Sequence, residues 1–248
     1  MLHPKKVGAL PKEGDEEAKR TNEIKTAIPL LDGIDIKGKV ITADALLTQR
    51  DLADYLVLKR KAHYHFTVKG NQPTLLADIE LYFRNRQEPD FIDNAPPDHG
   101  RIETRKIWTT NELNDYLNFP HVGQAFVIER HCIDKKSGKC SGEISYGITS
   151  QSSQDADAQS VLTTNRGHWS IENSCHYILD WNYDEDRSRI RNGYGPENIT
   201  RLRRFAIGVI KSKGVLSVAQ KMRQLTRNVR LVLDYLRMTK NSSASVDP

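Results

Sequence analysis

The sequence predicts a mixed α/β fold with a β-rich insertion and a helical C-terminal part. Three observations carry this expectation. Residues 40–83 read as strand, helix, strand, helix; residues ~95–150 read as paired strands; and from Asp155 onward apolar residues recur at helical spacing.

The elements follow in order. Residues 1–20 are polar and show no clear period. Thr21-Asn-Glu-Ile reads as a helix start, with Thr21 or Asn22 as the cap and Ile24, Ile28 and Leu31 on one face. Val40-Ile-Thr-Ala-Asp44 is a short β-branched run of the kind found in buried strands. Gln49 to Lys59 reads as a helix, Tyr64-His-Phe-Thr-Val68 as a second strand, and Thr74 to Phe83 as another helix. That order favours a parallel arrangement of the two strands. Arg101 to Thr109 alternates in character, and residues 125–133 and 143–149 form a hairpin around Lys135-Lys-Ser-Gly. Further helices are expected over 155–165, 167–180, 197–212 and 216–237. In the helix from Glu197 to Ser212, the spacing puts Ile199, Leu202, Phe205 or Ala206, and Val209 on one face.

The composition excludes several classes. The 248 residues are 38% hydrophobic and 28% charged, as in a folded globular chain rather than a disordered one. No stretch approaches the roughly 20 apolar residues of a membrane span. Met1-Leu-His-Pro-Lys-Lys has no apolar run behind its lysines, so it is not a secretory signal. The three cysteines, Cys132, Cys140 and Cys175, contain no C-x-x-C pair, so a disulfide framework is not expected and a cytoplasmic setting is. Charge is uneven along the chain. From Arg187 to Lys240 there are 14 Lys/Arg against two acids, while the remainder holds 23 bases against 30 acids. This asymmetry fits either a polyanion partner or a solvated helical face.

Two acidic residues stand out. Asp44 ends an apolar strand, and ligand sites in open α/β sheets lie at such C-terminal ends. Asp44 can equally serve as the cap of the helix that follows. Glu172 lies in His168-Trp-Ser-Ile-Glu-Asn-Ser-Cys-His176, where His168, Glu172 and His176 share one helical face, continued by Asp180. That row is either an exposed charged face or part of a metal site, since imidazole and carboxylate are both good ligands. The zinc-protease pattern H-E-x-x-H is absent.

The run Arg166-Gly-His-Trp-Ser-Ile-Glu-Asn-Ser-Cys-His-Tyr-Ile-Leu-Asp180, followed by Tyr183-Asp-Glu-Asp-Arg-Ser-Arg-Ile-Arg191, resembles the H-repeat-type insertion-sequence transposases of the DDE class. Thr21-Asn-Glu-Ile-Lys-Thr-Ala-Ile-Pro-Leu-Leu, Gly38-Lys-Val-Ile-Thr-Ala-Asp-Ala, Val68-Lys-Gly-Asn-Gln72 and His99-Gly-Arg-Ile-Glu-Thr-Arg105 agree with it in the same order, over roughly residues 20–215. The resemblance implies an RNase H-like α/β core with a β-rich insertion before the last catalytic helix. It divides the chain into an ill-defined remnant (1–20), the first part of the core (21–95), the insertion (96–150), the catalytic-Glu helix with basic C-terminal helices (151–240) and a disordered tail (241–248).

The resemblance further implies metal-dependent hydrolysis and strand transfer at insertion-sequence ends. Asp44 and Glu172 match the second and third catalytic acids, holding Mg²⁺ or Mn²⁺. Double-stranded DNA is the implied partner, a homodimer is compatible with paired-end cutting, and no membrane is involved. Lys69, Arg101, Arg105, His168, Asn173, His176, Arg187, Arg189, Arg191, Arg201 and Arg204 are the candidate DNA contacts. The family's first catalytic Asp lies on an earlier strand in an Asp-Gly-Lys context, for which the 20 residues before Thr21 offer no counterpart. The expectation is therefore a truncated, inactive core in which the Val40–Asp44 strand has an open edge unless Val7–Leu10 or another chain covers it. A DNA-binding remnant without catalysis, and an unrelated nucleic-acid-binding α/β protein, are the alternative readings.

Overall fold

The computed structural model describes residues 16–98, 100–169, 177–185, 187–215 and 217–239. Its contacts divide the chain into two compact units, one through His168 and one from Trp169 onward. The first unit is built on a six-stranded mixed sheet of order β1-β2-β6-β5-β4-β3. The strands are β1 (Val40–Ala43), β2 (His63–Val68), β3 (Phe91–Asp98), β4 (Arg101–Thr110), β5 (Gln124–Asp134) and β6 (Cys140–Thr149). Its helices are α1 (Glu16–Leu31), α2 (Arg50–Asp54), α3 (Pro73–Phe83) and α4 (Ala158–His168), with α2 running on into a π-helical turn at Tyr55–Lys59. β1 and β2 are parallel, as the intervening helix requires, and the other pairs are antiparallel.

Strand alternation sorts the side chains onto two faces. Tyr64, Phe66, Val68, Ala125, Val127 and Ile148 join Leu52 of α2, Leu56 of the π-helical turn and Leu75, Ile79 and Phe83 of α3 in the larger core. On the opposite face Ile107, Phe126 and Ile128 pack against Val161 and Leu162 of α4. Gly147 lies beneath Phe126, where an added Cβ would sit 2.1 Å from the ring, so this close approach requires glycine. Among the described residues β1 stands at the edge of the sheet, and Val40, Ile41 and Thr42 are half-buried there. Residues 7–10 lie outside the described residues.

Register settles the cysteine question. Cys132 pairs with Ser141, while Cys140 pairs with Ile133, so the two thiols point to opposite faces of the hairpin and cannot share a zinc ion or a disulfide. The first helix departs from expectation. It begins at Glu16, five residues before Thr21, so neither Thr21 nor Asn22 is its cap. Its C-terminal end is held by Arg60, whose guanidinium donates to the Leu31 carbonyl (2.8 Å), the Ile34 carbonyl and the Tyr55 hydroxyl, and lies 3.5 Å from Asp32. Arg60→Met should therefore destabilise the fold by about 2 kcal/mol, because carbonyls at a helix end lose their donor. A urea unfolding midpoint equal to that of the parent would show that the clamp is dispensable.

The second unit contains a π-helical turn at Ile178–Asn182, α5 (Gly195–Lys211), α6 (Val218–Arg227) and α7 (Val229–Tyr235). The single helix expected over 216–237 is divided at Asn228, which takes an extended conformation and accepts from the Leu231 amide to start α7. The face of α5 also differs from expectation. Ile207 and Ile210 are buried with Ile178, Leu179 and Val218, whereas Leu202 and Phe205 are exposed. Arg203 is turned inward, 3.6 Å from Glu185. The helix carries apolar residues on two sides, and the side bearing Ile207 and Ile210 is the one packed against Ile178, Leu179 and Val218.

Candidate functional site

Asp44 directly follows β1 and begins a 3-10 turn at Ala45–Leu47, where its Oδ1 accepts from the Leu47 amide at 3.4 Å. This is a long, weak cap that engages one carboxylate oxygen, and Asp44 remains exposed. Both readings of this residue are thus compatible with one geometry. The turn is fastened to the loop after β2. Asn71 donates to the Ala45 carbonyl (2.5 Å), Gln72 to the Thr48 carbonyl (2.9 Å), and the buried Thr48 hydroxyl to the Thr67 carbonyl (2.7 Å). The C-terminal ends of the two parallel strands therefore form one rigid rim bearing Asp44 and the exposed Lys69. Asn71 and Gln72 were not singled out as site residues; the run Val68-Lys-Gly-Asn-Gln72 was the signal that held them.

The helix α4 reaches this rim from the opposite side of the sheet to α2 and α3. Its apolar residues Val161 and Leu162 fix its middle, and its last turn is polar. Asn165 Nδ2 lies 3.4 Å from His65 Nε2 on β2, and His168 Nδ1 lies 3.1 Å from Thr42 Oγ1 on β1. Thr42 and Asp44 are two residues apart on an extended segment, so His168 is anchored on the same side of β1 as Asp44. Glu172, Asn173 and His176 lie outside the described residues. Asp180 is exposed in the π-helical turn of the second unit.

His65 is 2% exposed and stacks on Phe126, and burial, with a smaller effect from His168, pushes its imidazole down to about 3. It is therefore neutral near pH 7. The unfolded chain takes up a proton below about 6.5 that the folded chain refuses, so this contribution to stability is complete above 6.5 and falls away as pH drops toward 3. Stability should decline over that window with a slope of up to about 1.4 kcal/mol per pH unit from this group. Chemical unfolding at stepped pH should show a shallower decline for His65→Phe, and an unchanged decline would remove His65 from the account.

The basic candidates differ in how committed they are. Arg105 lies 2.8 Å from Glu103, which also accepts from Arg130 at 2.7 Å, and burial pulls the Arg105 guanidinium below the usual arginine range. Arg101 is exposed on the rim of an open groove of about 590 Å³ with Arg130 and Lys139. In the second unit Arg187 is 3.5 Å from Asp184, and Arg201 is paired with Glu197. Arg189, Arg191 and Arg204 are exposed, with no carboxylate within ion-pair distance among the described residues.

The donor chemistry suits a hard divalent cation, since Asp44 presents an exposed carboxylate on a rigid rim. Among the described residues no group of three His, Cys, Asp or Glu is placed to hold a metal ion, and Glu172 is not among them. Among the described residues no helix is long and apolar enough to cross a membrane.

Comparison with known proteins gives a consistent result. The family model described as Transposase DDE domain matches residues 15–202. Putative protein YbfL of Escherichia coli (strain K12) is 32% identical over 229 residues, covering 88% of this chain and 59% of its own length. Putative transposase YncI of Escherichia coli O157:H7 is 35% identical over 204 residues, 77% of this chain and 50% of its own length. The H repeat-associated putative transposase YhhI of Escherichia coli (strain K12) is 32% identical over 228 residues, 88% and 58% respectively. The chain spans between half and three-fifths of the length of these relatives.

Proposed function

Because this chain belongs to the DDE transposase family, and within it to the H-repeat type, we propose that it supplies the larger part of an RNase H-like catalytic core for DNA transposition. The reaction is phosphodiester hydrolysis and strand transfer at the ends of an insertion sequence, on double-stranded DNA in the cytoplasm. The observation that carries the reading is the rim after β1. Asp44 stands exposed at a parallel strand end, and α4, whose last residue is four positions before Glu172 in the sequence, is anchored to the same side of that strand by His168. Asp44 and Glu172 would hold Mg²⁺ or Mn²⁺ together with a third carboxylate. When bound, the ions lower the pKa of the attacking hydroxyl or water and stabilise the leaving oxygen. The chain's own residues hold their side chains still. Asn71, Gln72 and Thr48 rigidify the Asp44 turn, and exposed cations such as Lys69, Arg101 and Arg204 are placed to meet phosphates. In this division the insertion is 96–150 and the catalytic-Glu segment with its basic helices is 151–240. Two copies acting on paired ends would form a homodimer.

The second reading is a DNA-binding remnant without catalysis. Strand cleavage on DNA carrying the element's ends, with Mg²⁺ or Mn²⁺, separates the two. The 248-residue chain should bind and not cut, whereas the chain extended by an upstream strand carrying an Asp should cut. Metal-dependent cutting by the chain alone would show that its own residues complete the site. An extended chain that folds, binds and still does not cut would favour the remnant.

A further inference from the structure

In the second unit an indole ring faces solvent, and the packing around it gives no reason for that placement. Trp181 lies in the π-helical turn at Ile178–Asn182 and is 74% exposed. Its neighbours Ile178 and Leu179 are buried with Ile207, Ile210 and Val218, so the turn is held in place while its largest side chain stays outside the core. An indole left in water forgoes a large burial contribution. Tyr177, four residues earlier, is also exposed, and its ring runs parallel to the indole, with planes 6° apart and centroids 6.2 Å apart. A planar group laid on Trp181 would extend a row of parallel rings.

Trp181 also lines an open groove of about 390 Å³ whose other wall is α6. Arg223 and Arg227 stand in that wall, four residues apart and so on one helical face. Among the described residues no carboxylate lines the groove, and α6 carries Lys221, Arg223 and Arg227 but no acid. Met222, also in the wall, packs against the core that holds the turn, which ties both sides of the groove to one apolar cluster.

A flat ring beside two guanidinia matches the chemistry of a nucleotide. The ring offers a stacking surface, and arginine forks pair with phosphate. A duplex would meet the arginines but not the ring, since its base faces are already stacked on one another. An acidic peptide side chain would likewise satisfy the arginines and leave the indole uncovered. An unpaired stretch of DNA satisfies both. We propose that Trp181, Arg223 and Arg227 form a binding site for an unpaired nucleotide of single-stranded DNA, with the base on the indole and the flanking phosphates on the guanidinia. The site lies wholly within the second unit. It rests on the reading of DNA as the partner and is independent of the metal-ligand assignment.

The test uses the 248-residue chain, with binding of a labelled deoxythymidylate oligomer and of a labelled duplex carrying the element's ends followed by anisotropy. Trp181→Ala should weaken oligomer binding about tenfold, a common loss for one stacked base, and leave duplex binding within about twofold, which also shows that the variant is folded. Trp181→Phe should retain most of the affinity, because a ring remains. The oligomer should quench tryptophan emission in the parent, and that quenching should be largely absent in Trp181→Phe. Replacing Arg223 and Arg227 together by Gln should flatten the oligomer's log–log salt slope by about 1.4, whereas Trp181→Ala should leave the slope unchanged. Oligomer affinity in Trp181→Ala equal to the parent's, or an equal loss on oligomer and duplex, would overturn the proposal. So would a self-associated chain that Trp181→Ala returns to monomers, because the groove would then belong to a second copy. Duplex binding without oligomer binding would sink this site alone, and failure to bind either would remove DNA as the partner.

Discussion

Asp44→Asn, introduced into a chain that carries all three carboxylates, is expected to lower metal-dependent DNA cleavage by about a thousandfold or more, and Glu172→Gln to do the same. The substitution at Asp44 is informative because of its local geometry. The carboxylate makes a single weak cap contact, to the Leu47 amide, and Asn caps such turns as well as Asp does. Stability should therefore be nearly unchanged while the ability to hold a cation is lost. If Asp44 is only a cap, cleavage will survive the change. Measuring unfolding and single-turnover cutting on the same preparation separates the two outcomes, and retained cutting would end the ligand assignment.

DNA affinity should fall steeply with salt, and Arg189, Arg191 and Arg204 should account for a measurable part of the slope. Replacing all three by Gln is expected to flatten the log–log salt dependence by about 2.7 if each neutralises one phosphate of duplex DNA. These three are chosen because they are exposed without a carboxylate neighbour among the described residues. Arg201 and Arg187 stand beside Glu197 and Asp184, so each offers a phosphate less net charge. Arg105→Gln is a useful contrast, because its guanidinium is held by Glu103 and should change the slope less. A salt slope identical to the parent's in the triple variant would move the main electrostatic contact away from the basic C-terminal residues.

Much of the architecture was legible in the residues. The β-branched run at Val40–Ala43 and the second at Tyr64–Val68 encode strands through side-chain shape, and the helix between them forces the parallel pairing that the sheet contains. The placement of Asp44 at a strand end and the strand-rich stretch after residue 90 follow from periods of two that local sequence records directly. Tertiary structure alone decided the rest. Which side of α5 is buried depended on its packing against Ile178, Leu179 and Val218, distant or later in the chain, and the break at Asn228 depended on a cap that a continuous helical period conceals. The orientation of Cys132 and Cys140 was fixed by hairpin register, in which one residue's offset reverses the face. Above all, the contacts of Thr42 with His168 and of His65 with Asn165 join residues 126 and 100 positions apart. A hydrogen bond across such a separation leaves no periodic trace in the chain, because each partner is an ordinary polar residue until folding brings the other within reach.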